Sequence, residues 1–224
     1  KEALTGPEYA AIYETRVNER EVETWLKTTV TSLTQDRVVT VRNADGIQSI
    51  QAGAVIMAMG CRERTRGAIG TPGTRPAGVY TAGAVQNYMN VRNLAVGRKV
   101  VILGSGDIGL IMARRLTLEG AEVICVAEIL PQPSGIGANL VRCLEDFDIP
   151  LYLSTTVVEI HGKERVTGIT LAEVGPKMGE VKGTRRFIEC DTLLLSVGLI
   201  PETELAVSLG VTMSPATNGA IVAD

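Results

Sequence analysis

The sequence predicts an α/β protein built around a parallel sheet, and three observations carry that expectation. First, the apolar run Val100–Leu103 feeds into Gly104-Ser105-Gly106-Asp107-Ile108-Gly109, followed by a helical pattern and a second apolar run that closes on Ala127 and Glu128. Second, Ala54–Met59 and Asp191–Val197 are nearly continuous apolar runs that end at Gly60 and Gly198. Such runs suit strands buried on both faces of a parallel sheet. Third, the chain echoes itself. Residues 157–166 resemble 30–38, and 191–198 resemble 53–60, each pairing antiparallel-strand patterns with one apolar strand that stops at a glycine.

Taken in order, Thr5 followed by Pro7 reads as a helix start, and the helix should run through Tyr9, Ile12 and Tyr13 to about Val17. Val22–Val30 alternates weakly and reads as a strand. Arg37–Val41 and Ile47–Ile50 read as a hairpin with Asn43–Gly46 as its turn. Ala54–Met59 reads as a buried parallel strand, and the Gly-, Pro-, Thr- and Arg-rich stretch from Cys61 to Gly78 as a linker or crossover. A short helix follows over Ala84–Val91. The second unit then brings a strand before Gly104, a helix over Asp107–Glu119 and a strand over Glu122–Ala127. After the breakers Pro131 and Pro133 come a helix over Ala138–Phe147 and a strand over Pro150–Leu153. Strands at Val157–Ile160 and Val166–Val174 are joined by a turn through His161–Glu164. Thr184–Glu189 and Asp191–Val197 complete the unit. Residues 219–224 read as a strand cut short, and the first unit shows only the tail of what the second has whole. The expectation is therefore a chain that starts inside a first nucleotide domain, whose front half would carry its own glycine turn.

The glycine spacing has a mechanical reason at each position. Gly104 allows the tight turn out of the strand. Gly106 leaves no Cβ where the backbone approaches a pyrophosphate, and Gly109 lets the helix pack closely on the strand. The N–H groups that open the helix, among them those of Ser105, Asp107 and Ile108, face the phosphates. Glu128 follows Gly104 by 24 residues, near where an acid accepts from a ribose; the alternative is a solvated acid at a strand end. Asp107 in the first helical turn either touches the ligand or complements the helix dipole. Gly198 either borders the ligand at the carboxyl end of its strand or is a turn glycine.

Bulk properties exclude several classes. The chain has 224 residues, 45% hydrophobic and 21% charged, with a net charge of −3, so no basic surface points to nucleic acid. No apolar run approaches the roughly 20 residues a membrane span needs. The four cysteines, Cys61, Cys125, Cys143 and Cys190, form no close pair, so neither a metal site nor a dithiol is expected. Cys125 and Cys143 read as buried thiols, consistent with a reduced cytoplasmic protein. The single His161 reads as a solvated loop histidine.

Beyond these patterns, the wording of the chain resembles a family. Ala58-Met59-Gly60 looks like the Ala-Thr-Gly motif of pyridine nucleotide-disulphide oxidoreductases, and Val197-Gly198-Leu199-Ile200-Pro201 like their Val-Gly-x-x-Pro counterpart. Residues 4–10, 59–64, 75–78, 81–83 and 104–114 are similar to NAD(FAD)-dependent dehydrogenases found with bacterial glycerol-3-phosphate oxidation, and to flavin subunits of hydrogen cyanide synthase and opine or sarcosine oxidases. The resemblance implies a Rossmann-like three-layer ββα NAD-binding domain inserted in an incomplete FAD-binding domain. Residues 1–96 would be the FAD-domain tail plus crossover, 97–220 the NAD domain and 221–224 the return. It implies NAD(H) held by Gly104, Ser105, Gly106, Asp107, Ile108, Gly109, Glu128 and Gly198. Ala58, Met59 and Gly60 would lie near the FAD of the complete protein, which the fragment would not retain. The implied activity is hydride exchange between NAD(H) and flavin, with a partner redox subunit possible and the fragment alone inactive. Rival readings are a non-catalytic NAD-binding module and a flavin-independent dehydrogenase. Three departures stand out: Met59 replaces the usual threonine, Ile111 stands where some members carry a glutamate near the flavin, and Glu128 falls one residue after the usual strand-end acid, where Ala127 sits. Glu128, with no arginine in residues 129–132, favours NAD over NADP. Arg62, Glu63 and Arg64 either line the crossover near the flavin or are solvated. No residue stands out as an acid, base or nucleophile.

Overall fold

The computed structural model describes residues 4–215 and 220–221. The chain forms two compact units, residues 1–59 with 203–224, and residues 60–202.

The first unit begins with α1 (Gly6–Glu19), close to the expected helix. Thr5 and Glu8 close a capping box, with the Thr5 N–H donating to Glu8 Oε2 at 2.7 Å, which satisfies helix-end donors from both directions. Strands β1 (Thr29–Leu33), β2 (Val38–Asn43) and β3 (Gly46–Gln51) form an antiparallel meander. The expected hairpin is present, with Asn43 facing Gly46 across its turn. Two expectations fail here. Residues 22–28 are not strand, and Glu21 and Lys27 both take left-handed backbone angles that interrupt extension. Ala54–Met59 is not strand either, and Ile56 is 93% exposed. A continuous apolar run becomes a central strand only when neighbours cover both its edges and both its faces, and no described residue pairs with it.

The 60–202 unit opens with β4 (Cys61–Glu63), α2 (Arg66–Ile69), β5 (Val79–Thr81) and α3 (Ala82–Asn90). The stretch expected to be linker, Cys61–Gly78, therefore holds a strand and a helix, and α3 is the short helix expected over Ala84–Val91. Then follow β6 (Lys99–Leu103), α4 (Asp107–Leu118), β7 (Glu122–Ala127), α5 (Gly137–Cys143), a 3₁₀ turn (Glu145–Phe147) and β8 (Leu151–Tyr152). The helix expected to reach Phe147 ends at Cys143; the chain tightens into a 3₁₀ turn over Glu145–Phe147, and Asp148 is left-handed at φ 53°. The unit ends with β9 (Thr155–Gly162), β10 (Val166–Glu173), β11 (Arg186–Ile188), β12 (Thr192–Leu195) and β13 (Leu199–Pro201). The chain then returns to the first unit with α6 (Glu204–Ser208), β14 (Met213–Ser214) and β15 (Ala220–Ile221). Gly219 and residues 222–224 of the expected terminal strand lie outside the described residues.

A five-stranded parallel sheet, ordered β5-β12-β6-β7-β8, forms the middle layer of this unit. Alternation along each strand divides its side chains between two cores. On β6, Val100 and Ile102 face α3, α4 and α5, while Val101 and Leu103 face the β9–β10–β11 meander. On β12, Leu194 points to the helices and Leu193 and Leu195 to the meander. The result is the expected Rossmann-like three-layer ββα arrangement, each fully buried aliphatic side chain contributing about 1.5–3 kcal/mol. Compactness divides the chain at 59/60 and 202/203, not at 96/97 and 220/221, because β5 is an edge strand of this sheet and β4 pairs with β13. His161 is part of β9 rather than a loop: its Nε2 is 2.8 Å from Thr170 Oγ1 and its ring lies 5.4 Å from that of Phe187. Among the described residues, no helix is long and apolar enough to cross a membrane.

Candidate functional site

The site forms at the carboxyl ends of β6, β7 and β12, where open α/β sheets bind ligands. A cleft of about 890 Å³ opens there, lined among others by Gly104, Gly106, Asp107, Ile108, Glu128, Leu130, Val157, Arg185 and Gly198. Every lining residue belongs to the 60–202 unit.

The three glycines of the turn do different work. Gly104 has φ +97°, and a Cβ on it would stand 2.0 Å from the Ser196 carbonyl oxygen, so the turn off β6 is wedged against the end of β12. Gly109 sits on α4, and its Cβ would be 2.8 Å from both the Gly104 carbonyl oxygen and Ser196 Cβ; its small size sets how near α4 approaches the sheet. Gly106 differs. It caps α4 with ordinary backbone angles, φ −63° and ψ 158°, and a Cβ there would find nothing nearer than Ser196 Oγ at 3.6 Å. Packing therefore does not require its lack of a side chain, which leaves the cleft open at this point. No side chain caps α4, which leaves the partial positive charge of its first turn directed at the cleft.

Glu128 is only 4% exposed. Its Oε2 accepts from the Ser105 N–H (3.0 Å), the Ser105 hydroxyl (2.5 Å) and the Ser134 hydroxyl (3.0 Å), while Oε1 accepts from the Leu130 N–H (3.0 Å). Burial works against ionisation, but the bonds from Ser105, Leu130 and Ser134 outweigh it and hold the carboxyl below its ordinary range. The residue expected to read a ribose is thus fully engaged by the protein, tying the glycine turn to the 129–136 segment. Asp107 does likewise: its Oδ1 accepts from the Ile136 N–H (2.9 Å) and the Asn139 amide (2.8 Å) at the start of α5. Those two bonds lower its pKa.

Gly198 follows β12 with φ +97°, and its carbonyl accepts from the Arg64 N–H at 3.0 Å. The residues after the two repeated glycines pair with each other, Leu199 with Glu63 and Pro201 with Cys61. Arg62 bonds Glu202, and Glu63 accepts from the Gly83 N–H at 2.8 Å at the start of α3. This charged trio is therefore built into the fold. Met59 is exposed and, with Ala58, lies in the other unit; Gly60 has φ +72°. Cys125 and Cys190 are buried, and burial raises their thiols to about 11 and about 12. Cys61 is exposed. Among the described residues, no group of three or more His, Cys, Asp or Glu is placed to hold a metal.

Sequence reading missed Glu180 and Arg185. Both line the cleft, and they pair in two contacts, Arg185 Nε to Glu180 Oε1 at 2.6 Å and Nη2 to Oε2 at 2.9 Å. The available signal was opposite charges five residues apart across the Gly179–Gly183 turn. It also missed Ser105 and Ser134 as partners of Glu128.

Comparison with known proteins agrees with this geometry. The family model described as pyridine nucleotide-disulphide oxidoreductase matches residues 2–224. The chain is 28% identical over 189 residues to a probable ferredoxin reductase, CtmF, of Castellaniella defragrans, covering 81% of this chain and 42% of that protein. It is 25% identical to hydrogen cyanide synthase subunit HcnB of Pseudomonas aeruginosa, over 78% of this chain and 40% of that one. It is 30% identical to rubredoxin-NAD(+) reductase of Pseudomonas putida, over 68% and 38%. The chain thus spans less than half the length of these relatives. Thioredoxin reductase of T. acidophilum shares the fold with a TM-score of 0.72 at 23% identity, covering 99% of this chain and 67% of that one. The glycine turn, the three-layer unit and the end-to-end family match agree: the chain belongs to the pyridine nucleotide-disulphide oxidoreductase family.

Proposed function

We propose that the 60–202 cleft binds NAD(H), and that the complete protein exchanges hydride between it and FAD. One observation carries the reading: the Gly104–Gly109 turn opens α4 without a side-chain cap, and Gly106 leaves room at that spot for a ligand's pyrophosphate. The residues fit such a group. Gly106 and the N–H groups of Asp107 and Ile108 would hold the phosphates. Glu128 and Leu130, beyond β7, would border the adenosine, and Gly198 and Leu199, beyond β12, the nicotinamide. Glu128 holds the turn in shape through Ser105, and Asp107 fixes the 134–136 segment beside it. Ile108, Ile129 and Leu130 lend the cleft apolar walls, which exclude water from a bound cofactor. When bound, the nicotinamide and the flavin supply the redox chemistry; the protein supplies orientation and shielding. In this reading residues 1–59 belong to a flavin-binding part, Ala58, Met59 and Gly60 face the FAD, and a partner redox subunit is engaged. Names such as ferredoxin reductase and hydrogen cyanide synthase subunit among the relatives support it.

Two measurements test this. Calorimetric titration of the full chain with NADH is expected to show saturable binding, and its absence overturns the cleft assignment. The complete protein is expected to show flavin absorbance bands that bleach on adding NADH; a colourless protein overturns the flavin part.

A further inference from the structure

The cleft contains a charge pair whose arrangement bears on which nicotinamide cofactor it accepts. In the sheet, β6 lies between β12 and β7, so the glycine turn after β6 has Gly198 on one side and Glu128 on the other. Two guanidiniums line the cleft among the described residues, Arg64 and Arg185. Arg64 belongs to the Gly198 side, where its N–H bonds the Gly198 carbonyl at 3.0 Å. Arg185 belongs to the Glu128 side, and backbone bonds trace the connection. The Thr155 N–H donates to the Glu128 carbonyl, the Val174 N–H to the Ser154 carbonyl, and the Glu173 N–H to the Thr184 hydroxyl next to Arg185.

The pairing of Arg185 is built into its loop. Gly175 N–H bonds the Gly179 carbonyl, Val181 N–H the Glu173 carbonyl, and Val174 bridges to Glu180. The Thr184 hydroxyl donates to the Val181 carbonyl at 2.8 Å. These bonds set Glu180 opposite Arg185 in a two-contact fork, the geometry in which a guanidinium and a carboxylate recognise each other best. Glu159 adds a third contact at 3.9 Å to Arg185 Nη1.

We propose that Glu180 sets the cofactor preference of this cleft by occupying Arg185, the guanidinium that lines the cleft on the Glu128 side among the described residues, so that it is not offered to a ribose 2′-phosphate. A cofactor with a 2′-phosphate needs an arginine at that ribose. Here the arginine is neutralised by Glu180, and the buried carboxylate of Glu128 adds negative charge nearby. The preference for a free 2′-hydroxyl thus comes from an engaged arginine as well as from an acid at the strand end. This inference rests on the reading of the cleft as a nicotinamide dinucleotide site.

The test is titration of the full chain with NADH and with NADPH, for the wild type, E180Q, R185Q and the double variant E180Q/R185Q. Thermal unfolding is run alongside to confirm that each is folded. The wild type is expected to bind NADH more tightly. E180Q is expected to shift the ratio of dissociation constants toward NADPH by about tenfold, equivalent to about 1.4 kcal/mol, and the double variant to lose that shift. An unchanged ratio in folded E180Q overturns the proposal. So does a shift that survives in the double variant, which would show net charge rather than the guanidinium at work. A wild type that binds NADH but prefers NADPH overturns the proposal and leaves the cleft assignment standing, whereas a wild type that binds neither overturns both.

Discussion

Replacing Gly104 and Gly106 one at a time by alanine separates a glycine needed for the fold from one needed for a ligand. At Gly104 an alanine must hold φ +97°, which costs an L-residue about 1–2 kcal/mol. Its Cβ would also lie 2.0 Å from the Ser196 carbonyl oxygen and 2.7 Å from the Ser196 carbonyl carbon. Both are backbone atoms of the segment leaving β12, so relief requires moving the sheet, at an overpacking cost of about 1–3 kcal/mol. The total, about 2–5 kcal/mol, corresponds to a fall in melting temperature of roughly 10 °C for a chain of this size. At Gly106 the backbone is ordinary and the nearest atom is Ser196 Oγ at 3.6 Å, so alanine at this helix cap costs less than about 1 kcal/mol. Gly106→Ala should therefore keep the melting temperature and weaken NADH binding, while Gly104→Ala should melt early. Scanning calorimetry is the right probe, because the only tryptophan, Trp25, lies in the other unit. A Gly104→Ala protein as stable as the parent, or a Gly106→Ala protein that melts early, would refute the reasoning.

Two further outcomes are expected. Glu128→Ala removes the acceptor of four hydrogen bonds in a buried place and should destabilise the 60–202 unit by about 1–3 kcal/mol. In the parent, the lowered pKa of Glu128 means its contribution is present above the unfolded carboxyl value and lost as pH falls through the folded one. The stability gap between parent and variant in acid titrations of unfolding should close below about pH 4; a gap constant to pH 2 argues against it. In thiol titration of the native protein, Cys61 should react first and Cys125, Cys143 and Cys190 only on unfolding, since burial raises all three. Rapid reaction of more than one thiol contradicts the buried assignments.

What could be read in advance was local. The glycine turn, α4 and β7 follow from apolar period and glycine spacing, and β7 covers the expected residues Glu122–Ala127. The antiparallel echo between residues 30–38 and 157–166 is real, since each belongs to a three-stranded meander. The run at 54–59 misled because apolar character reports what a segment wants to bury, not whether neighbours are there to bury it. Strands β4 and β13 have three residues each and owe their existence to one another across the length of the unit, a partnership no local pattern encodes. The same limit hid the role of Glu128. Its spacing from Gly104 marked the place, but only the folded chain brings Ser105 and Ser134 to its carboxylate.

The ribbon of β4 and β13 also says something about modularity. Chain enters the 60–202 unit through one of these strands and leaves through the other, and the Glu202 N–H donates to the Gly60 carbonyl at 3.1 Å. Start and finish are therefore stitched side by side, reinforced by the pairing of Arg62 with Glu202. A segment whose two ends meet can be spliced into a host loop, or lifted out of one, without stretching either. The ribbon gives residues 60–202 the closed ends of an insertable segment, with the glycine turn and the cleft both inside it.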